Sequence, residues 1–228
     1  MTRPEIVEPD VWQTARDDLL VAEKEATRAL DALAARRRRL PMTPFPDTYT
    51  FTTPDGPRTL AGLFDGHDVL VTYQFMDIGP DHYCSGCTYF SDSVPAHAPT
   101  LLAEHGVRWM HVTEMDLDRF AAYRERKGWT MPYACSRGTT FADDTGAGSG
   151  FALSVFLRDG NDVYRSYATT ARGIDRLAFV NGVLDLAPYG RGETWEDSPA
   201  GWPQVPSAEN PCLLTADGVA TSYGRWRN

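Results

Sequence analysis

The chain has 228 residues, 42% of them hydrophobic and 23% charged, which suits a globular protein of one domain with additions and a buried core. Its 22 Lys plus Arg against 31 Asp plus Glu give a net charge of -9, which excludes the basic footprint that nucleic-acid binding needs. No stretch approaches the ~20 apolar residues of a membrane span, and residues 1–10 carry Glu5, Glu8 and Asp10 in place of an apolar signal core, so the expectation is a cytoplasmic protein without a membrane partner.

Residues 9–40 predict one long helix. Trp12, Ala15, Leu19, Ala22, Ala26, Leu30 and Leu33 recur at steps of three and four, forming one apolar stripe. Pro41 stops it, because proline disfavours the helical region for the residue before it. Arg36, Arg37, Arg38 and Arg39 then read as a solvated helix end, where cations suit the dipole. The stripe can pack on its own domain or serve as a homodimerisation arm; it is narrow and not a clean heptad.

Residues 48–53 alternate as a strand, and Pro54, Asp55, Gly56 and Pro57 make a turn. A helical turn over 60–64 precedes the buried strand 69–76. Helix is expected at 100–105, strand at 107–113, and helix at 116–127 with Gly128 as its stop. Residues 129–136 read as extended. Residues 137–150 are rich in Gly, Thr and Asp and read as a mobile loop. Residues 151–158 and 163–170, around an Asp159-Gly160-Asn161-Asp162 turn, form a hairpin, and 174–186 form a closing helix. Residues 191–228 hold Pro199, Pro203, Pro206 and Pro211 with Trp195, Trp202 and Trp226, which marks an irregular tail. The expected divisions are an N-terminal helical extension (1–40), a central domain (41–190) and the tail (191–228). The order β-β-α-β-α-β-β-α implies an α/β fold, a central mixed sheet with helices on both faces.

The centre of this order is Cys84-Ser85-Gly86-Cys87, lying between the buried strand and a helix over 88–94. A cysteine at a helix N-terminus faces unpaired N–H groups and the positive end of the dipole. Both favour the thiolate, the reactive form in disulfide exchange and metal capture. Within an α/β pattern, C-x-x-C is a thioredoxin-like redox signature. Cys84, nearer the helix start, is the expected nucleophile, and Cys87, one turn on, the thiol that resolves the mixed disulfide. That reading requires no cofactor; its partner is a thiol or disulfide, on a protein or a small molecule.

The alternative is a metal. A closed zinc site wants four ligands, and with no second C-x-x-C it would draw on His82, His97, His111 or Cys135. Soft thiolates also suit copper(I), with His82, two residues before Cys84, as a third ligand. A third reading is a specialised small-molecule enzyme that uses the cysteines for another reaction. Four cysteines are too few for a disulfide scaffold. Cys135 reads as a small buried hydrophobe, and Cys212 as incidental or as a late resolving thiol. Asp81 and His82 could aid proton transfer or be merely solvated. His111 reads as a core histidine.

The chain also resembles a bacterial thioredoxin-like family of unknown function described as predicted dithiol-disulfide oxidoreductases. The resemblance runs from residue 10 to 192. It includes Trp12, Glu23-Lys24-Glu25, Arg38-Arg39-Leu40-Pro41, Pro54-Asp55-Gly56, Phe75-Met76, Gly79-Pro80 and the cysteine segment. It continues in Gly128-Trp129-Thr130, Leu153 to Gly160, Ala171-Arg172-Gly173 and Leu184-Asp185-Leu186. It implies a thioredoxin-like fold and thiol redox chemistry. The loop after Ser136 is shorter than the family pattern, and the tail after Gly192 differs from it. Thioredoxins proper place a cis-proline opposite the cysteines where this chain has Phe151-Ala152-Leu153-Ser154, which argues against ordinary protein-disulfide recognition. In the thioredoxin-like order the strand 163–170 returns toward the cysteines. Thr169, Thr170 and Arg172 are therefore expected near the Cys84 helix, with the Arg172 guanidinium either favouring the thiolate or an anionic substrate, or paired with Asp175.

Overall fold

The computed structural model describes residues 3–204 and the strand Leu213–Thr215. Cys212 and Trp226 lie outside the described residues. The described residues fall into two compact units, one running to Pro41 and joined by Pro199–Trp202, the other Met42–Ser198 with the described residues after Trp202. In the first, α1 (Pro9–Arg37) starts with proline, whose missing N–H costs nothing at that position, and closes with Arg36 and Arg37 in its last turn. Arg39 donates to the Ala35 carbonyl at 2.9 Å, so part of the arginine run caps the helix. No residue of α1 is buried. Among the described residues no helix is long and apolar enough to cross a membrane.

The second unit is built on an eight-stranded sheet in the order β1-β9-β8-β4-β6-β7-β2-β3. These strands are β1 (Thr43–Pro44), β2 (Phe51–Thr53), β3 (Gly56–Arg58), β4 (Val69–Phe75), β6 (Val107–Thr113), β7 (Tyr133–Cys135), β8 (Leu153–Asp159) and β9 (Asp162–Thr169). A separate ladder pairs β5 (His82–Cys84) with β10 (Leu213–Thr215), placing Leu213 opposite Cys84. Within the large sheet β4–β6 and β6–β7 are parallel and the other neighbours antiparallel. The inner order β6-β4-β8-β9 is thioredoxin-like: a parallel pair joined through helices, then an antiparallel hairpin beside its first strand.

β4 is central, and both of its faces are buried. Val71, Tyr73 and Phe75 enter one core with Phe90, Phe120, Tyr123, Leu153, Ile174 and Ala178. Leu70 enters the other with Phe64, Met110, Val112, Phe141 and Phe156. The first core lies under α2 (Ser85–Asp92), α4 (Leu117–Lys127) and the segment holding α6 (Phe179–Leu184). α3 (Ala98–Glu104) precedes β6. The second face is covered by shorter pieces, a 3₁₀ turn at Ala61–Phe64 and α5 (Phe141–Asp144).

Several expectations need correction. The segment 137–150 is not a bare loop: Phe141 is 1% exposed and packs edge-on to Tyr49 and Phe51, which nucleates α5. The closing helix breaks in two, a 3₁₀ turn at Ala171–Leu177 and then α6, because Ala178 turns to the extended region (φ -80°, ψ 108°). β8 and β9 match the expected hairpin, with a bulge between Val155 and Phe156. In α4 the Asp116 carboxylate accepts the N–H groups of Asp118 and Arg119, and Gly128 closes the helix at φ 69°, a conformation that favours glycine.

His111 on β6 is the core histidine expected. It lies among Tyr73, Phe75, Phe120 and Trp129. Its Nε2 is 3.0 Å from Ser91 Oγ, which donates its own proton to the Cys87 carbonyl. The imidazole must therefore donate from Nε2, leaving Nδ1 a bare acceptor without a partner. Burial, then the Arg124 charge, hold its pKa down to about 3. An unfolded histidine binds a proton from pH 6.5 downward and the folded one does not. Stability should therefore fall by about 1.4 kcal/mol per pH unit from His111 alone, between 6.5 and 3. Urea unfolding across this range should show stability dropping as the pH falls, more steeply in the parent chain than in His111→Phe, the difference in slope being the histidine's, whatever the variant's absolute stability.

Candidate active site

β4 ends at Phe75, residues 76–81 turn, and β5 delivers the chain to α2. Cys84 is the N-cap of α2, extended at φ -63°, ψ 115°, and its Sγ accepts the Cys87 N–H at 3.3 Å. Both cysteines therefore sit at the mouth of the helix, as expected, and the helix ends at Asp92, short of the expected 94. The mouth is pinned from α4. Thr88 Oγ1 donates to the Cys84 carbonyl at 2.8 Å and so accepts from Tyr123 Oη at 2.7 Å. The Tyr123 ring stacks on Tyr83, centroids 3.7 Å apart and 7° from parallel. Arg119 lies 4.7 Å from the Tyr83 centroid and donates to the His82 carbonyl at 2.6 Å.

Cys84 is 3% exposed and Cys87 1%. The Cys84 thiol is 3.6 Å from Met76 Sδ. The hydrogen bond from the Cys87 thiol, followed by the N–H groups of Cys87 and Gly86, outweighs burial and brings Cys84 down to about 7. Burial first, then the neighbouring Cys84 sulfur, push Cys87 well above the ordinary thiol value. The Tyr73 phenol and the Met76 N–H donate to Cys87 Sγ and oppose that shift. Burial in turn raises Tyr73, which keeps its proton. A proton is therefore held at Cys87 while Cys84 is half ionised near neutral pH. The open side of Cys84 lies at exposed Gly86, where an added Cβ would meet only Cys84 Sγ, at 3.9 Å.

The structure brings Cys84 and Cys87 together but does not gather the other candidates with them. Arg172 Nε is 3.6 Å from Asp175, and its guanidinium lies 3.4 Å from the Trp195 centroid; no arginine is among the groups that shift Cys84. β9 does return to the site's end of the sheet: Thr169 pairs with Leu153, which pairs with Tyr73. Ala171, at φ 49°, then starts the 3₁₀ turn that carries Arg172 to Asp175. Asp81, His82 and His97 are exposed. Among the described residues no three His, Cys, Asp or Glu side chains are grouped so as to hold a metal ion. Cys135 is buried at the end of β7, its register partner Thr113 pairing with Phe75, and burial raises its pKa. That spacing of two strands is about 10 Å. Tyr73, Met76, Thr88 and Tyr123 are not among the site residues expected from the sequence; the place of Met76 at the end of the strand before the motif, and its part in the family resemblance, are the signals that mark it.

Among curated proteins, no sequence matches. Solved structures similar to the chain include a hypothetical protein from Sinorhizobium meliloti 1021, at 20% identity and TM-score 0.42 over 66% of this chain and 87% of that one. A secreted Mycobacterium tuberculosis disulfide oxidoreductase has 15% identity and TM-score 0.37 over 57% and 91%. The peroxidoxin BcpB of M. tuberculosis has 17% identity and TM-score 0.41 over 63% and 97%. The sequence itself is more decisive: residues 1–207 match the model of DUF899, bacterial proteins of unknown function, and the chain belongs to that family.

Proposed function

We propose that the protein is a dithiol-disulfide oxidoreductase. The observation that carries the proposal is the sulfur pair at the mouth of α2, with Cys84 Sγ accepting the Cys87 N–H and the Cys87 thiol. In the reducing direction the Cys84 thiolate attacks one sulfur of a substrate disulfide. A Cys84–substrate disulfide forms, and the first substrate thiolate leaves and takes up a proton. Cys87 then loses its proton and attacks Cys84 Sγ, releasing the second substrate thiolate and leaving a Cys84–Cys87 disulfide. Two electrons pass to the substrate. The Tyr73 phenol and Met76 N–H support the charge as it develops on Cys87. The oxidising direction is the reverse of these steps. The substrate sulfur reaches Cys84 from the Gly86 side, which favours a disulfide with little bulk around it.

Thiol titration should find the pair reversibly oxidised. Cys87→Ser should trap the mixed disulfide with a substrate, and Cys84→Ser should abolish turnover. A pair that stays reduced in mild oxidant would overturn the reading. Alkylation of Cys84, followed by mass spectrometry, should rise with pH to a midpoint near 7. Cys87→Ala should move that midpoint up toward the ordinary thiol value of 9.0, since the largest lowering contribution comes from Cys87.

Arg172→Met should leave the alkylation profile unchanged, because the guanidinium is engaged by Asp175 and Trp195. A slowed reaction in this variant would return Arg172 to the site.

A further inference from the structure

We propose that the reduced protein has a second capacity: Met76, Cys84 and Cys87 form a three-sulfur site for a soft monovalent cation, copper(I) being the biological case. The juxtaposition is local and unusual. Met76 Sδ lies 3.6 Å from Cys84 Sγ, and the Cys87 N–H reaches that same cysteine sulfur at 3.3 Å. The two cysteine sulfurs are themselves hydrogen-bonded. A metal–sulfur bond of about 2.3 Å, the thiolate value for zinc, sets three trigonal sulfurs ~4 Å apart, close to the 3.6 Å between Met76 Sδ and Cys84 Sγ.

The donor set selects the ion. Two thiolates and a thioether are soft ligands, which favour copper(I) over harder ions. Structural zinc wants four ligands, and among the described residues no third His, Cys, Asp or Glu joins the pair. Met76 therefore takes the place that the sequence offers to His82, whose side chain is exposed.

Charge points the same way. Copper(I) bound to two thiolates and a thioether makes a complex of net charge -1 in a buried site. The donors already in place suit that charge: the N–H groups of Cys87 and Gly86 on Cys84, and the Met76 N–H and Tyr73 O–H on Cys87. An uncompensated buried cation would be costly, whereas a small residual anion held by fixed dipoles is not. Only the reduced pair offers thiolates, so capture of the ion and disulfide exchange exclude each other.

The test uses the full reduced chain and copper(I) buffered by a chromophoric chelator without oxygen. One equivalent should bind, excess zinc(II) should not displace it, and X-ray absorption should show three sulfur neighbours and no nitrogen. Met76→Leu keeps the side-chain volume nearly constant and should weaken binding by at least roughly tenfold, the loss that even an outer-shell partner can cause. Two sulfur neighbours in the parent protein, or an undiminished affinity in Met76→Leu, would overturn the assignment. Because the absorption measurement is made on the unaltered chain, a variant that misfolds leaves the test intact. Failure here would leave the exchange reading standing, since that is read from reversible oxidation without metal.

Discussion

A thiol at the start of a helix becomes a thiolate only if its sulfur is held against the N–H groups of the first turn, and here the holding contact is Cys87 N–H on Cys84 Sγ. Everything around it maintains that one geometry. Thr88 fixes the Cys84 carbonyl, Tyr123 fixes Thr88, and Tyr83 is clamped between Tyr123 and Arg119. The chain of contacts runs through a single helix, α4, whose own start is set by the Asp116 cap and whose end is set by Gly128. Behind it, His111 reaches the same turn of α2 through Ser91 and the Cys87 carbonyl. A disturbance in α4 or β6 therefore reaches the sulfur without touching it.

The two cysteines differ because their surroundings do, although both are nearly inaccessible to water. Burial alone would raise both thiols. Cys84 escapes that rise because it receives the donors of the helix mouth and the Cys87 proton, whereas Cys87 faces β4 and the Tyr73 ring. One sulfur is thus partly ionised near neutral pH while the other keeps its proton. That division of labour follows from the helix start lying directly over the end of the central strand, and it requires no charged side chain.

Much of this was legible in the sequence. The buried run at 69–76, the helix ending in Gly128 and the hairpin around Asp159 to Asp162 follow from periodicity and turn chemistry, and they dictate the sheet order. The division of roles between Cys84 and Cys87 follows from their order along the helix. What could not be read was long-range. Phe141 lies in a Gly- and Thr-rich stretch that reads as a loop, and only its packing with Tyr49 and Phe51 makes it a core residue. Thr88 and Tyr123 are 35 residues apart and carry no shared pattern. Ala178 has good helical propensity, yet its extended backbone splits the closing helix.

The position of Arg172 carries the last step. Topology returned β9 to the site's end of the sheet, and the arginines of this region have carboxylate partners there. Arg172 and Arg191 both reach Asp175, Arg119 and Arg137 both reach Asp77, and Arg137 also donates to the Glu114 carbonyl. Cys84 is left with short-range, fixed dipoles in place of a cation. Such dipoles act through contact in a buried place, where salt screens little, whereas an exposed guanidinium such as Arg172 would act through a field that salt weakens. Cys84 is therefore lowered by the Cys87 thiol together with the N–H groups of the first turn of α2, and the residues that keep that turn in register with the end of β4 hold the arrangement.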